Sequence, residues 1–384
     1  MNIGYGKQYI DKIDKAAVTK ALSSDFITQG KYIEIFEKKL KEFFKCKYVC
    51  VVSSGTAGMH LVAKALNWKK NDIILMSAVT FVSTANIVDH LGAKVDLIDI
   101  DKNTYNIDIK KLETKIKSYL IKKKKVKAVV ATDYAGLPCD WKKLKKLSFK
   151  YNFQIINDNC HAIGAKFEKK VSYGAEYASA IIHSYHPVKN ITTGEGGAIL
   201  TNNKKIYEKV KILRSHGIQD RGKNKVSWYY DIKSIGFNYR INDFQCALGI
   251  SQLKKLKKFL KKRRNIAKFY FKKLEKIKFL ELPQIKYNSN HSYHLFPILI
   301  NFDKIKIDKK QLFSVFKKNG IILQVHYIPI YRFTYFKNKY NFLRKSYPNS
   351  ENFYKNSLSL PIFYSIKQTQ LNKVVNFIKK IKSK

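Results

Sequence analysis

From about Tyr48 onward, short apolar runs alternate with stretches of helical spacing. KYVCVVSSGTAGMHLVAKAL reads as strand, small-residue turn and helix, and DIILMSAVTFVSTANIVDHLGAKVDLIDI as strand, helix and strand. VKAVVATDYAG and FQIINDNCHAIGA are short β-rich segments, each preceded by a helical one and ended by a polar or glycine turn. Strands separated by helices imply parallel βαβ units whose strands are buried and nearly continuously apolar. Chemistry is then expected in the loops at the C-terminal strand ends.

After Asn190 the rhythm changes. GGAILTNN reads as a hairpin-forming strand and KIYEKVKILRSHG as a helix stopped by glycine. One long helix is predicted from about Asn242 to Leu274, followed by a C-terminal third with its own strands, HLFPILI and GIILQVHY, and helices. A boundary is expected near Leu260, dividing a large domain over residues 1–255 from a small one over 256–384. The expected fold class is α/β: a central, mainly parallel sheet flanked by helices, plus a smaller α+β C-terminal domain.

Composition narrows this picture only slightly. Of the 384 residues, 45% are hydrophobic and 27% charged, as in ordinary globular chains. No apolar run is long enough to span a bilayer, and MNIGYGKQYIDKIDK has no apolar core of a secretory signal. Five scattered cysteines without a CxxC pair suggest reduced thiols and a cytoplasmic protein. The formal charge of +47 admits two readings. One is a non-catalytic, polyanion-binding protein. The other is a lysine-rich composition filling solvated positions, and it fits lysines spread along helix faces such as SQLKKLKKFLKKRRN rather than gathered in a tail. No specific nucleic acid and no membrane partner is expected, although a basic surface favours an anionic small substrate.

One lysine stands apart. Lys189 lies in SYHPVKNITTGEGGAIL, among turn-formers and small residues. Confinement lowers the proton affinity of an amine, and a neutral pocket lysine can attack an aldehyde; outside a pocket it would be a plain loop lysine. SSGTAGMH places Thr56 and Ala57 in a turn between strand and helix, where backbone N–H groups and the helix dipole favour a single anion. It lacks the glycine spacing of nucleotide loops and also suits a simple helix cap. Asp158 falls at the end of an apolar strand near His161, where a carboxylate beneath a pyridine nitrogen would keep that ring protonated; the alternatives are an N-cap and a loop histidine. Phe81, in VTFVSTAN, offers a flat face for stacking or a core side chain. An amine, an anion cradle, an acid and an aromatic face together describe a pyridoxal 5'-phosphate site.

Here the sequence resembles the DegT/StrS-type nucleotide-sugar aminotransferases, a branch of the fold-type I enzymes that use this coenzyme. The resemblance covers nearly the whole chain and includes DYAGLPCD, DNCHAIGA, SYHPVKNITTGEGGAI, RSHG, SIGFNYRINDFQCALGISQL and VHYIPIY. It implies that Lys189 holds the coenzyme covalently and that Asp158 faces the ring nitrogen. It further implies that His161 neighbours the ring hydroxyl, that Thr56, Ala57 and Ser184 bind the phosphate, and that Phe81 stacks on the ring. Asn238 and Arg240 fall in the segment that in this family reaches the neighbouring protomer's site, implying a homodimer with shared active sites. Within the family, ITQG, TFVSTAN, RSHG and ILQVHYIPIY are most similar to the pseudaminic acid branch. That branch aminates C4 of UDP-2-acetamido-2,6-dideoxy-β-L-arabino-hex-4-ulose with L-glutamate as donor. His216, His326 and Tyr327 are candidate sugar or diphosphate contacts, each equally compatible with a structural role. A 4-keto sugar of the bacillosamine, perosamine or viosamine type is the alternative substrate.

Overall fold

The computed structural model describes residues 2–219, 226–283 and 290–384. Seven short strands form the main sheet: β1 (Tyr48–Val52), β2 (Ile73–Ser77), β3 (Lys94–Ile98), β4 (Val126–Thr132), β5 (Gln154–Asp158), β6 (Ala180–Ser184) and β7 (Gly197–Thr201). Their order is β1-β7-β6-β5-β4-β2-β3. Only β7 runs against its neighbours; the other pairings are parallel. The sequence dictates this through its buried apolar runs. In β4, Ala128 and Val130 join one core while Val129 and Ala131 join another on the opposite face. A strand buried on both faces needs helices on both sides. They come from the crossovers, among them Gly55–Ala65, Ser83–His90, Ile109–Ile121 and Trp141–Tyr151. The parallel strands end at one edge of the sheet, so their loops converge there.

The helix Asp243–Leu274 runs unbroken through the expected boundary between residues 255 and 256. Its Leu253, Leu256, Phe259 and Leu260 pack with the N-terminal core, and Ile266, Ala267, Tyr270 and Leu274 with the C-terminal one. Ile3 also packs into the C-terminal core. Between those apolar positions, Lys254, Lys257, Lys258 and Lys261 are exposed, so the lysine run is the solvent face of an amphipathic helix.

Two further sheets follow: a pair, β8 (Ile218–Gln219) with β9 (Asp231–Ile232), and an antiparallel β10 (Leu280–Glu281), β11 (Phe296–Ile300) and β12 (Ser357–Leu360). GIILQVHY, expected as a strand, is not one. It makes only isolated bridges, from Ile321 to Ile3 and from Gln324 to Ser359. Pairing stops where the chain turns to present His326 and Tyr327 to a cleft, and Pro329 then removes a ladder donor. Among the described residues no helix is long and apolar enough to cross a membrane, and the five cysteines are free.

Candidate active site

The cleft at the strand ends encloses about 350 Å³. Lys189 enters it from the loop joining β6 to β7, the one sheet connection short enough to lack a helix. That loop is tied down by its own small polar residues. Thr192 Oγ1 donates to the Tyr185 carbonyl at 2.8 Å, the Thr193 N–H to the same carbonyl at 3.0 Å, and Asn190 Nδ2 to Ile163 O at 2.9 Å. Turn-formers surround Lys189 because they hold the backbone and leave the cleft to one long side chain. Burial lowers its proton affinity below that of an ordinary lysine, against the pull of Cys160 and Asp158.

Facing it is the start of the Gly55–Ala65 helix. Ser54, Gly55 and Thr56 line the cleft, with Ser184 across from them. Ser54 caps the helix by accepting the Ala57 N–H at 3.0 Å. Gly55 must be small, since a Cβ there would sit 3.0 Å from the Ser184 Cβ. Gly197 is held more tightly still: a Cβ would come within 2.6 Å of the Ser54 backbone. One glycine of the GEGG run thus lets β7 pass directly beneath a helix N-terminus whose dipole favours an anion.

Asp158 ends β5 and lines the same cleft. Its Oδ1 accepts the Cys160 N–H at 3.2 Å and its Oδ2 the Thr132 hydroxyl at 3.2 Å. Thr132 Oγ1 lies 3.0 Å from Thr80 Oγ1.

The opposite wall is built of rings. His161, His294, His326, Tyr327 and Tyr5 line it, and Phe81, 52% exposed, stands at the edge with its ring 5.8 Å from that of Tyr327. Burial and the nearby Lys189 hold His161 and His294 well below the usual histidine range, and burial brings His326 down to about 3. All three imidazoles are therefore neutral at neutral pH. The contacts fix the tautomer of His161. Its Nδ1 faces the Ala135 N–H at 3.4 Å, a group that can only donate, so the ring proton is on Nε2. Nε2 donates to the Tyr327 hydroxyl oxygen at 2.7 Å. Tyr327, pushed up by burial, keeps its own proton and is free to donate it within the cleft.

Thr56, Phe81, Asp158, His161, Ser184, Lys189, His326 and Tyr327 thus meet in one cavity. Ala57 is buried behind it, its N–H taken by Ser54. His216, Asn238 and Arg240 lie outside the lining: His216 N donates to Phe237 O at 2.9 Å, and Asn238 bridges to Ser215. Sequence reasoning missed Thr80, Thr132, Tyr5 and His294. Thr80 immediately precedes Phe81 in a turn already singled out, so its position was the available signal; Thr132 and His294 carry none beyond adjacency to a strand.

A lysine amine whose proton affinity is lowered, an anion-favouring helix terminus and a hydrogen-bonded carboxylate meet at one sheet edge, the arrangement of an α/β group-transfer enzyme. A family model, the DegT/DnrJ/EryC1/StrS aminotransferase family, matches residues 8–379, and the chain belongs to that family. A UDP-4-amino-4,6-dideoxy-N-acetyl-beta-L-altrosamine transaminase of Campylobacter jejuni is 42% identical over 94% of this chain and 92% of its own. One of that name from Helicobacter pylori is 33% identical over 98% and 96%. The solved structure of Helicobacter pylori PseC, an aminotransferase involved in the biosynthesis of pseudoaminic acid, is 32% identical, covers 99% of both chains and superposes with a TM-score of 0.89.

Proposed function

We propose that the protein is a pyridoxal phosphate-dependent aminotransferase that moves the amino group of L-glutamate to C4 of a UDP-linked 4-keto-6-deoxy sugar, in the pseudaminic acid route. The observation that carries the reading is the placement of Lys189 and Asp158 in one cleft beneath the Ser54–Thr56 turn. The sugar is supported by relatives named for that transamination, at 42% and 33% identity.

The cleft fits the coenzyme. Gly55 and Gly197 let the helix N-terminus seat closely against β6 and β7, and the hydroxyls of Thr56 and Ser184 flank the helix terminus where the phosphate belongs. When bound, the coenzyme supplies an aldehyde carbon that amines can occupy in turn and a ring that takes up the electron pair released at the donor's α-carbon. Asp158 would accept the N–H of the ring nitrogen, and Phe81 would cover a ring face. Lys189 would hold the coenzyme and, as a free amine, would carry the proton taken from the donor's α-carbon and given to the acceptor carbon. The Tyr327 hydroxyl and His326 contact the sugar. The neutral histidines exclude competing cationic charge from the lysine. Asn238 and Arg240 complete the site of a second protomer in a homodimer, which accounts for their position outside this cavity. The enzyme works in the cytoplasm, with residues 1–255 and 256–384 forming the two lobes of the cleft.

Lys189→Ala is expected to abolish both turnover and the absorbance of the covalently held coenzyme. A variant retaining either rejects the assignment. Incubation with UDP-, GDP- and dTDP-linked 4-keto sugars plus glutamate, with product stereochemistry read by NMR, tests the substrate. Amination of only a GDP- or dTDP-linked sugar moves the protein to another branch.

A further inference from the structure

We propose that Thr132, backed by Thr80, is the positioning residue that fixes the Asp158 carboxylate in the cleft. This rests on the reading that Asp158 faces the coenzyme's ring nitrogen. The three residues come from neighbouring strand ends. Thr132 closes β4 and pairs in register with Asp158, which closes β5, while Thr80 follows β2, the neighbour of β4 on its other side. The sheet therefore lays two hydroxyls and a carboxylate in a row.

Chemistry fixes the direction of that row. An ionised carboxylate only accepts, so the Thr132 hydroxyl donates to Asp158 Oδ2 at 3.2 Å. Having spent its one proton, Thr132 Oγ1 must accept in its 3.0 Å contact with Thr80, and Thr80 donates. Both hydroxyls are buried, at 1% exposure for Thr80 and 4% for Thr132, so no bulk water substitutes for them. Oδ1 is held by the Cys160 N–H at 3.2 Å. The titratable groups facing Asp158 are the Lys189 amine, the Cys160 and Cys139 thiols and the Tyr327 phenol. The hydroxyl chain and one backbone N–H are what hold the carboxylate in place. Without the chain the carboxylate is less firmly held against the ring nitrogen, which then keeps its proton less well.

The test is nitrogen NMR on protein loaded with pyridoxal phosphate labelled at the ring nitrogen, together with affinity for pyridoxamine phosphate. Wild type is expected to show a protonated ring nitrogen. Thr132→Val, similar in shape, should move the resonance toward the unprotonated value and weaken pyridoxamine phosphate binding about tenfold, the scale of one hydrogen bond to a charged group. Thr132→Ser should restore both, and Thr80→Val should move the resonance the same way by less. An unchanged resonance in a folded Thr132→Val protein overturns the relay, as does a Thr132→Ser protein that behaves like valine. Should Thr132→Val not fold, an unshifted resonance in Thr80→Val overturns it instead. Wild-type protein that takes up no pyridoxal phosphate overturns the reading of the site itself, and the relay with it.

Discussion

The two walls of the cleft are made of different material. The sheet wall carries a carboxylate and hydroxyls at strand ends, where backbone donors and short side chains lie close enough to satisfy them, and the Lys189 amine reaches in beside them from the β6–β7 loop. The facing wall carries rings from less regular chain: Tyr5 near the N-terminus, His294 just before β11, and His326 and Tyr327 past a segment that fails to form a strand. Charge is tolerable on the first wall because hydrogen bonds hold it. On the second, burial removes it, leaving neutral imidazoles and protonated phenols. One wall supplies charge, and the other a low-dielectric surface with few directed donors.

The sharpest way to break this division is to remove charge from the sheet wall. Asp158→Ala leaves Lys189 in place, so the coenzyme should still attach and colour the protein. On the proposed reading its ring loses the group that keeps it protonated, and kcat is expected to fall about 10³-fold, the scale of losing one preorganised electrostatic partner. Single-turnover absorbance with glutamate measures it. A fall under tenfold would show that the sheet wall's charge is not what drives the chemistry.

The sheet wall was also the legible one, for the same physical reason. A strand-ending Asp158, a small-residue turn before a helix and a lysine among turn-formers each break a local pattern, and the break can be seen in sequence. The strands themselves could be read from buried apolar runs. Thr132 was not legible, because a β-branched residue at a strand end is what any strand shows. Of the ring wall, His161 and Phe81 were singled out from their own segments, His326 and Tyr327 only through resemblance, and His294 and Tyr5 not at all. Its residues are brought together by packing between distant segments, and no periodicity encodes that. GIILQVHY shows the cost of trusting the apolar pattern alone: the run is strand-like, but its partners allow two bridges and no ladder.

The histidines predict a response to acid. His183, His291 and His326 are held neutral by burial, each brought down to about 3. Unfolded, a histidine takes its proton near pH 6.5. Between those values the unfolded chain binds protons that the folded one refuses, so the stability is fully present above about pH 6.5 and is lost as pH falls. From pH 7 to pH 5 the loss should be on the order of 1–2 kcal/mol for each of the three. Urea unfolding at several pH values reads it. His161 and His294, also held well below the usual range, add to the same slope, so His326→Asn, which takes one of the five, should flatten it by about a fifth; an unchanged slope would move the acid sensitivity elsewhere.

Tyr327→Phe probes the ring wall's directed donor. The ring contacts with His161, at 5.6 Å, and Phe81, at 5.8 Å, are kept while the hydroxyl goes. The His161 Nε2–H then loses its acceptor and the sugar loses a donor. The expected loss is about tenfold in kcat/KM for the keto sugar, the scale of one hydrogen bond to a substrate. Affinity for the coenzyme, measured by titration, should stay within about twofold of wild type. Equal losses in both would place the hydroxyl on the coenzyme rather than on the substrate.

The smallest effect concerns a polar group on the sheet side that neither wall uses. Asn157 precedes Asp158 in β5, so its side chain points to the other face of the sheet. There it is fully buried, and among the described residues neither its Oδ1 nor its Nδ2 has a hydrogen-bond partner. Asn159, two residues on, is the contrast: its Nδ2 donates to Asp133 Oδ2 at 2.9 Å and to the Tyr173 hydroxyl at 2.6 Å. A buried amide without partners bears its desolvation cost uncompensated. Asn157→Val replaces it with a good strand former of slightly larger volume, trading relief of that cost against the fit of two methyls beside Gly174 and Ile181. The net is expected within about 1 kcal/mol of wild type, on the stabilising side. Asn159→Ala should instead cost about 1–3 kcal/mol, because it strips a donor from Asp133, whose carboxyl burial already raises to about 6. Paired thermal melts decide between them. If Asn157→Val is as damaging as Asn159→Ala, the amide at 157 has a partner after all, and the satisfaction of polar groups by strand-end donors extends to both faces of the sheet.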